Sequence, residues 1–136
     1  MKRIRYYYMR REQLELDYSY LRQMLSFAEE IENTLDKVKH YGIDLYDEMV
    51  VASLAMHIGQ IGEQLDSRKL SSDLQERYAD LLPWSEIKRF RDKAYHHYGG
   101  TDSYEIVQIA LKDIPVLIEN LQIIIRNVER ELDKDY

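Results

Sequence analysis

The sequence lacks cysteine altogether and is poor in glycine and proline, and each shortage excludes a class of structure. Without cysteine, the 136-residue chain can form neither disulfides nor thiolate metal sites. With only 5 glycines and 2 prolines to build turns, a few long elements are favoured, which predicts helices. No apolar run approaches the roughly 18 residues of a membrane span, and the start MKRIRYYYMRR lacks the apolar stretch of a signal peptide. We therefore expect a cytoplasmic protein.

The net charge of -6 has the wrong sign for a protein that coats nucleic acid over a broad surface. Nucleic-acid chemistry would have to be confined to one of two basic clusters. They are Lys2, Arg3, Arg5, Arg10 and Arg11 near the start, and Lys88, Arg89, Arg91 and Lys93 further along. Residues 1–10 could bind RNA through cations and stacked tyrosines, but such an end is more often a solvated extension.

Apolar residues recur at steps of three and four through most of the chain, which predicts amphipathic helices. The first two predicted helices run from Arg10 to His40, ended by Gly42, and from Asp47 to Asp66. A short third helix is capped by Ser72 and Gln75 and ends near Leu81, and a fourth runs from Pro83 to Tyr98. The last helix starts at Thr101 or Asp102, and Pro115 kinks or splits it. The expected fold is all-α, a single-domain antiparallel four-helix bundle over residues 1–136 with short additional helices.

Two glycines, Gly59 and Gly62, lie inside the second predicted helix. Glycine costs about 1 kcal/mol in a helix interior. A close approach of a neighbouring helix is the physical reason for keeping both.

The predicted helix from Pro83 to Tyr98 carries an arginine where an apolar residue is expected. On a helical wheel its apolar stripe consists of Trp84, Ile87, Ala94, Tyr95 and Tyr98. Arg91 falls in the middle of that stripe. A buried guanidinium is costly unless it is paired or lines a functional cleft. Arg91 could therefore reach out to solvent, pair with Glu63, or form part of a site.

His96 lies near the carbonyl-rich end of the same predicted helix, where a cationic imidazole is favoured. That suits a proton-transfer residue, and it equally suits an inert capping histidine. Arg91 and His96 differ by about 140° on an ideal helix, so they converge only if the arginine sweeps sideways, the last turn distorts, or a second subunit contributes. The four histidines, His40, His57, His96 and His97, show no metal-binding spacing, so no metal or other cofactor is expected.

The segment PWSEIKRFRDKAYHHY (residues 83–98) resembles the signature helix of HEPN-domain proteins, and most closely their HepT-like branch. Arg91, His96 and Tyr98 match its pattern of arginine, four residues, histidine, any residue, tyrosine. The flanking matches are Pro83-Trp84, Ile61-Gly62-Glu63, Asp113-Ile114-Pro115 and Leu117. One departure is Asp92, where many HEPN nucleases have asparagine.

The resemblance implies a toxin of a HEPN/nucleotidyltransferase toxin–antitoxin pair that cleaves RNA without metal at a cleft on a homodimer axis. Arg91 and His96 would be catalytic, with Asp92 and Glu63 in support. Tyr98 would be the residue to which a minimal nucleotidyltransferase antitoxin attaches AMP, although a tyrosine there is also a plausible core residue. Two alternatives stay open. One is an inactive HEPN bundle that binds the nucleotidyltransferase. The other is a purely structural helical dimer, with Arg91 fully paired inside the protein.

Overall fold

The computed structural model describes residues 2–66, 68–95 and 103–134, with side chains described from residue 10 onward. This part of the chain contains helices and turns but no strand, which confirms the predicted all-α class. The elements are α1 (Lys2–Tyr41), α2 (Glu48–Glu63), α3 (Ser72–Arg77), α4 (Trp84–Tyr95), α5 (Ser103–Gln108), a π-helical segment (Ile109–Asp113) and α6 (Ile114–Asp133). None of the helices in these ranges is both long and apolar enough to cross a membrane.

The long helices pack as an antiparallel bundle around one apolar core. The Arg11 side chain at the start of α1 donates to the carbonyl of Leu132 at the end of α6 over 3.1 Å, so these two helices run in opposite directions. The fully buried side chains that fill the centre include Leu21, Ile31, Leu54, Ile58, Ile106, Leu121 and Ile124. All lie on the apolar stripes, because a helix with one apolar face is stable only when that face is covered.

α1 begins at Lys2, earlier than the predicted start near Arg10. Its end follows the prediction: Gly42 adopts φ 64°, a left-handed conformation that costs glycine little. The amide of Ile43 then donates to the carbonyl of Val38 over 3.0 Å, which closes the last turn.

The predicted close approach at the two glycines is confirmed, and the neighbour is α4. A β-carbon at Gly59 would lie 3.1 Å from the Ala94 Cβ. One at Gly62 would lie 2.7 Å from the amide nitrogen of Arg91 and 3.1 Å from the carbonyl of Ile87. The two backbones therefore pack in direct contact, and α4 owes its position to the absence of side chains on α2.

The predicted cap of α3 was wrong by one residue: Ser71, not Ser72, caps the helix. The Ser71 hydroxyl accepts from the Leu74 amide over 3.2 Å, and α3 ends at Arg77 rather than near Leu81. The reason lies far away in the chain. Asp17, only 2% exposed, accepts from the Ser71 amide over 2.9 Å and from its hydroxyl over 2.6 Å. That buried carboxylate fixes the start of α3.

Pro115 interrupts the last long helix as predicted, and the interruption takes the form of a π-helical turn. The Ile114 amide donates to the carbonyl of Ile109, five residues back instead of four. In a regular α-helix the ring of Pro115 would collide with the carbonyl of Leu111. A wider turn at this point relieves the collision while the helix continues as α6.

Candidate active site

Arg91 lies on α4, but not in the middle of its buried face. The buried residues of α4 are Trp84, Ile87, Phe90 and Ala94. Tyr95, which was assigned to the apolar stripe, is 53% exposed, and the Arg91 side chain is 49% exposed. The predicted stripe was therefore rotated too far toward Arg91. The glycines of α2 let Ala94 and the α4 backbone approach α2 closely, and Phe90 is buried beside Leu117 of α6.

Two side chains hold the Arg91 guanidinium. Its Nε lies 4.0 Å from Oε1 of Glu63 on α2, and its Cζ lies 5.8 Å from the centre of the Tyr95 ring. The Tyr95 hydroxyl donates to the same Glu63 oxygen over 3.0 Å. Glu63 thus contacts both Arg91 and Tyr95 of α4. Its contact with Arg91 is made through Nε and not through the two terminal amino groups of the guanidinium.

These contacts orient Arg91 without neutralising it. A half-exposed ion pair at 4.0 Å contributes only about 0–1 kcal/mol, and a cation–π contact at such a site adds about the same. Two sequence expectations, reaching toward solvent and pairing with Glu63, are therefore both confirmed. Within the single chain Arg91 is not fully paired inside the protein, and its pairing in the purely structural dimer stays a prediction.

A cavity of about 450 Å³ opens beside Arg91. It is lined by Tyr20, Glu63, Asp66, Arg68, Lys69 and Arg91. α1 supplies the tyrosine, α2 supplies Glu63, and the loop that follows α2 supplies Asp66, Arg68 and Lys69. The Arg91 side chain therefore borders open space that a ligand could occupy.

A cavity of similar size, about 480 Å³, lies between α1, α3 and α6, where its cations are already engaged. Arg77 donates to Glu131 over 2.7 Å, and the hydrogen bond with Glu131 raises the arginine's pKa. Arg10 lies 4.0 Å from the same carboxylate. This arrangement joins three helices and leaves little positive charge for an anionic ligand. The cavity beside Arg91 is the better candidate.

The other members of the basic cluster around Arg91 do not form one patch. Lys88 and Arg89 are exposed, whereas Lys93 pairs with Glu105 of α5 over 3.0 Å. The side chain of Asp92 is exposed and forms no hydrogen bond or ion pair with the described residues. Of the four cations in this cluster, only Arg91 lines the cavity.

Comparison with known proteins identifies the family. A sequence profile described as Ribonuclease HepT-like matches residues 19–124, which run from the middle of α1 to the middle of α6. The chain belongs to the HepT-like ribonuclease family. No solved structure matches the chain.

Curated relatives of this HepT-like chain carry names that describe them as candidate RNases. One from Methanocaldococcus jannaschii is 26% identical over 83% of this chain and 94% of its own length. A second from the same organism is 32% identical over 64% of this chain and 69% of its own length. A third, from Caldanaerobacter subterraneus, is 28% identical over 72% of this chain and 87% of its own length.

Two predicted residues of the HepT-like signature, His96 and Tyr98, lie outside the described residues, as does His97 between them. The convergence of His96 with Arg91 stays a prediction. The remaining histidines have local partners: His57 Nδ1 lies 2.9 Å from the Ser53 carbonyl, and the His40 ring packs edge-on against Tyr41 at 4.7 Å. Across the described ranges, no three His, Asp or Glu side chains form a group that could hold a metal.

Five residues of the site were missed at the sequence level: Tyr20, Asp66, Arg68, Lys69 and Tyr95. Tyr95 had a usable signal, because residues i and i+4 lie side by side on a helix and Arg91 was already a candidate. The other four come from α1 and from the loop that follows α2. The packing of α2 against α4 brings the loop to Arg91, and the packing of α1 against α2 brings Tyr20 there; no local pattern reports either contact.

Proposed function

We propose that this HepT-like chain is a metal-independent endoribonuclease, the toxin of a HEPN/nucleotidyltransferase toxin–antitoxin module. Family membership supports ribonuclease activity in general. The observation that carries the proposal is the state of Arg91: oriented by Glu63 and Tyr95, half exposed, and bordering a cavity. We place the enzyme in the cytoplasm, where its RNA substrate is found.

RNA brings its own nucleophile, so the protein has to move protons and stabilise charge. The 2′-hydroxyl attacks the adjacent phosphorus while a base removes its proton. The bond from phosphorus to the 5′-oxygen then breaks, and an acid protonates the leaving oxygen. His96 is the candidate for both steps, with one copy acting as base and the other as acid across a homodimer. The products are a 2′,3′-cyclic phosphate and a 5′-hydroxyl.

Arg91 would bind the phosphate that is cleaved. A guanidinium donates two parallel hydrogen bonds to a phosphoryl group and stabilises the additional charge of the five-coordinate transition state. The terminal amino groups not engaged by the Glu63 contact suit this role. Because Arg91 is already held by its neighbours, little reorganisation is needed when substrate binds.

The test of this function is RNA cleavage by the purified protein in the presence of a metal chelator. We expect Arg91→Ala and His96→Ala each to abolish cleavage. Arg89→Ala is the matched control, because it removes an exposed arginine from the same helix and should leave cleavage intact. Activity that survives both active-site substitutions would refute the assignment, and light scattering of the wild type reports whether a dimer forms.

Regulation by the antitoxin would act on Tyr98. A nucleotidyltransferase would transfer AMP from ATP to the tyrosine oxygen and release pyrophosphate. On an ideal helix Tyr98 lies within about 20° of Arg91, so the adduct would place negative charge and bulk near the arginine and block RNA. Mass spectrometry after co-expression should show the AMP increment on Tyr98 and not on Tyr95, and Tyr98→Phe should prevent it.

One observation favours a second function, an inactive bundle that serves as the binding partner of a nucleotidyltransferase. Asp92 places an exposed carboxylate next to Arg91 in the chain, where it would repel a phosphate. That function predicts stable co-purification with the nucleotidyltransferase and no cleavage by the wild type under any condition.

A further inference from the structure

The cavity beside Arg91 contains two cations beyond the one that the proposed phosphate site uses. Arg68 and Lys69, which no step of the proposed chemistry uses, line it together with Arg91. Its volume of about 450 Å³ lies in the range of about 300–1,000 Å³ that is typical of small-molecule sites. The space can therefore accept a group beyond the phosphate at Arg91.

The charges in this cavity do not cancel. Three cations, Arg68, Lys69 and Arg91, face two carboxylates, Glu63 and Asp66, which leaves one positive charge in a chain whose net charge is -6. Lys69 forms no ion pair with the described residues. Arg68 is 90% exposed and only 3.5 Å from Asp66 through Nε, so water screens that pair strongly.

The described residues of the loop that carries these cations, on both sides of position 67, are held by hydrogen bonds. The carboxylate of Asp66 accepts from the Arg68 amide over 3.0 Å, and that bond is the main reason why the pKa of Asp66 is lowered. The Lys69 amide donates to the Asp66 carbonyl over 2.8 Å, and the Leu70 amide donates to the Gln64 carbonyl over 3.1 Å. Asp66 thus serves the loop as a turn residue, and the cations are presented on a folded segment.

An aromatic side chain completes the lining. Tyr20 of α1 is partly buried against the core and borders the same cavity. Cations that follow a backbone, combined with an aromatic ring on which a base can stack, are the combination that binds single-stranded nucleic acid without sequence preference.

We propose that this cavity binds the nucleotide next to the cleaved bond of a single-stranded RNA. Arg68 and Lys69 bind the flanking phosphate, and Tyr20 stacks on the neighbouring base. This inference rests on the proposed function, because Arg91 holds the phosphate that defines where the flanking nucleotide lies.

The first experiment measures binding without cleavage. A short, fluorescently labelled single-stranded RNA with every 2′-hydroxyl methylated is titrated with the full chain, and anisotropy is followed over a range of salt concentrations. Each phosphate contact on a single strand contributes about 0.7 to the slope of log K against log salt. In Arg68→Ala/Lys69→Ala, which removes the contacts with the one flanking phosphate, the slope should become shallower by about 0.7, which is about fivefold weaker binding at 0.1 M relative to a 1 M reference.

The matched control is Lys37→Ala/Lys39→Ala, which changes the net charge by the same amount. Both lysines are exposed on α1, and Lys37 lies 17 residues beyond Tyr20, about 25 Å along the helix. This variant should bind like the wild type. An equal loss in the control would overturn the proposal, because binding would then follow net charge and not the cavity.

Tyr20 is tested with two variants that keep most of its packing. Tyr20→Phe retains the ring and should bind like the wild type, whereas Tyr20→Leu should bind about fivefold more weakly or worse, because stacking is lost. Thermal unfolding shows that each variant is folded, and Arg68→Gln/Lys69→Gln replaces the alanine pair if that pair does not fold.

The outcomes separate this inference from the proposed function. Unchanged RNA binding in the loop variant overturns the subsite, and so does a loss of nucleotidyltransferase binding alone. If the wild type binds the strand in the expected way but cleaves no RNA, the ribonuclease proposal fails, whereas binding of single-stranded RNA by Arg68, Lys69 and Tyr20 stands. If cleavage depends on Arg91 and His96 but not on Arg68, Lys69 or Tyr20, the ribonuclease stands and the subsite fails.

Discussion

The backbone of Arg91 packs directly against Gly62. A β-carbon at position 62 would lie 2.7 Å from the Arg91 amide nitrogen and 3.2 Å from its Cβ. These atoms belong to the backbone and the first side-chain carbon, so they cannot move aside without moving α4. The position of the candidate catalytic arginine therefore depends on a missing side chain on α2.

Gly62→Ala should displace α4 and destabilise the protein. Overpacking of this kind costs about 1–3 kcal/mol and outweighs the gain of about 1 kcal/mol from replacing a helical glycine. Gly59→Ala is the matched control, since its β-carbon would meet only the Ala94 Cβ at 3.1 Å, and we expect a change near zero. Urea unfolding measures the change in the free energy of unfolding for both variants. Equal changes at the two positions would contradict this account of Gly62.

Glu63 should act on RNA cleavage through Arg91. Glu63→Gln weakens the ion pair, and Tyr95→Phe removes the hydrogen bond that orients the carboxylate, so each should lower kcat/KM by about threefold to tenfold, or about 0.7–1.4 kcal/mol. Stability should change little, because both side chains are substantially exposed. A double-mutant cycle gives the decisive readout. In an Arg91→Ala background, which does not cleave RNA, neither substitution should weaken binding of the methylated RNA further.

Asp17 should be a major stabilising residue although it lies far from the candidate site. Asp17→Ala removes the acceptor of the Ser71 amide and hydroxyl, and hydrogen bonds to a charged group contribute about 1.5–3 kcal/mol each. We expect a loss of about 3 kcal/mol or more in denaturant unfolding. Asp36→Ala, at an exposed position of the same helix, should cost less than about 0.5 kcal/mol. Since Ser71 ends the loop that carries Arg68 and Lys69, the substitution should also weaken RNA binding.

Asp113 is the position where a charge opposes folding. Desolvation raises the pKa of its carboxyl, so the folded state holds the proton more tightly than the unfolded state. The contribution of Asp113 to the free energy of unfolding is therefore zero below the usual carboxyl pKa of about 3.9. It becomes destabilising as the pH rises through the folded-state pKa. Asp113→Asn should stabilise the protein near pH 7 by well under 1 kcal/mol, because the side chain is exposed. A thermal unfolding series should show the difference vanishing near pH 3.

The helices could be predicted from local signals, whereas the surroundings of Arg91 could not. Gly42, Asp47 and Pro115 each act on their own segment, so their effects are visible in a few neighbouring residues. The rotation of α4 depends on Gly59 and Gly62, which belong to another helix, and a wheel drawn for α4 alone omits them. The cap of α3 was misplaced for the same reason, because its partner Asp17 lies 54 residues away.

Asp92 offers a substitution whose direction of effect distinguishes two physical roles. If the exposed carboxylate only repels RNA phosphate near Arg91, Asp92→Asn should raise kcat/KM on the order of threefold to tenfold at low salt, with a smaller gain at high salt, where the charge is screened. Asp92→Glu keeps the charge and should resemble the wild type. If Asp92 instead orients His96, Asp92→Asn should lower kcat at every salt concentration, since removing an orienting carboxylate does not depend on screening. Identical kinetics in wild type and Asp92→Asn would contradict both roles and place the carboxylate outside the field of the reacting phosphate.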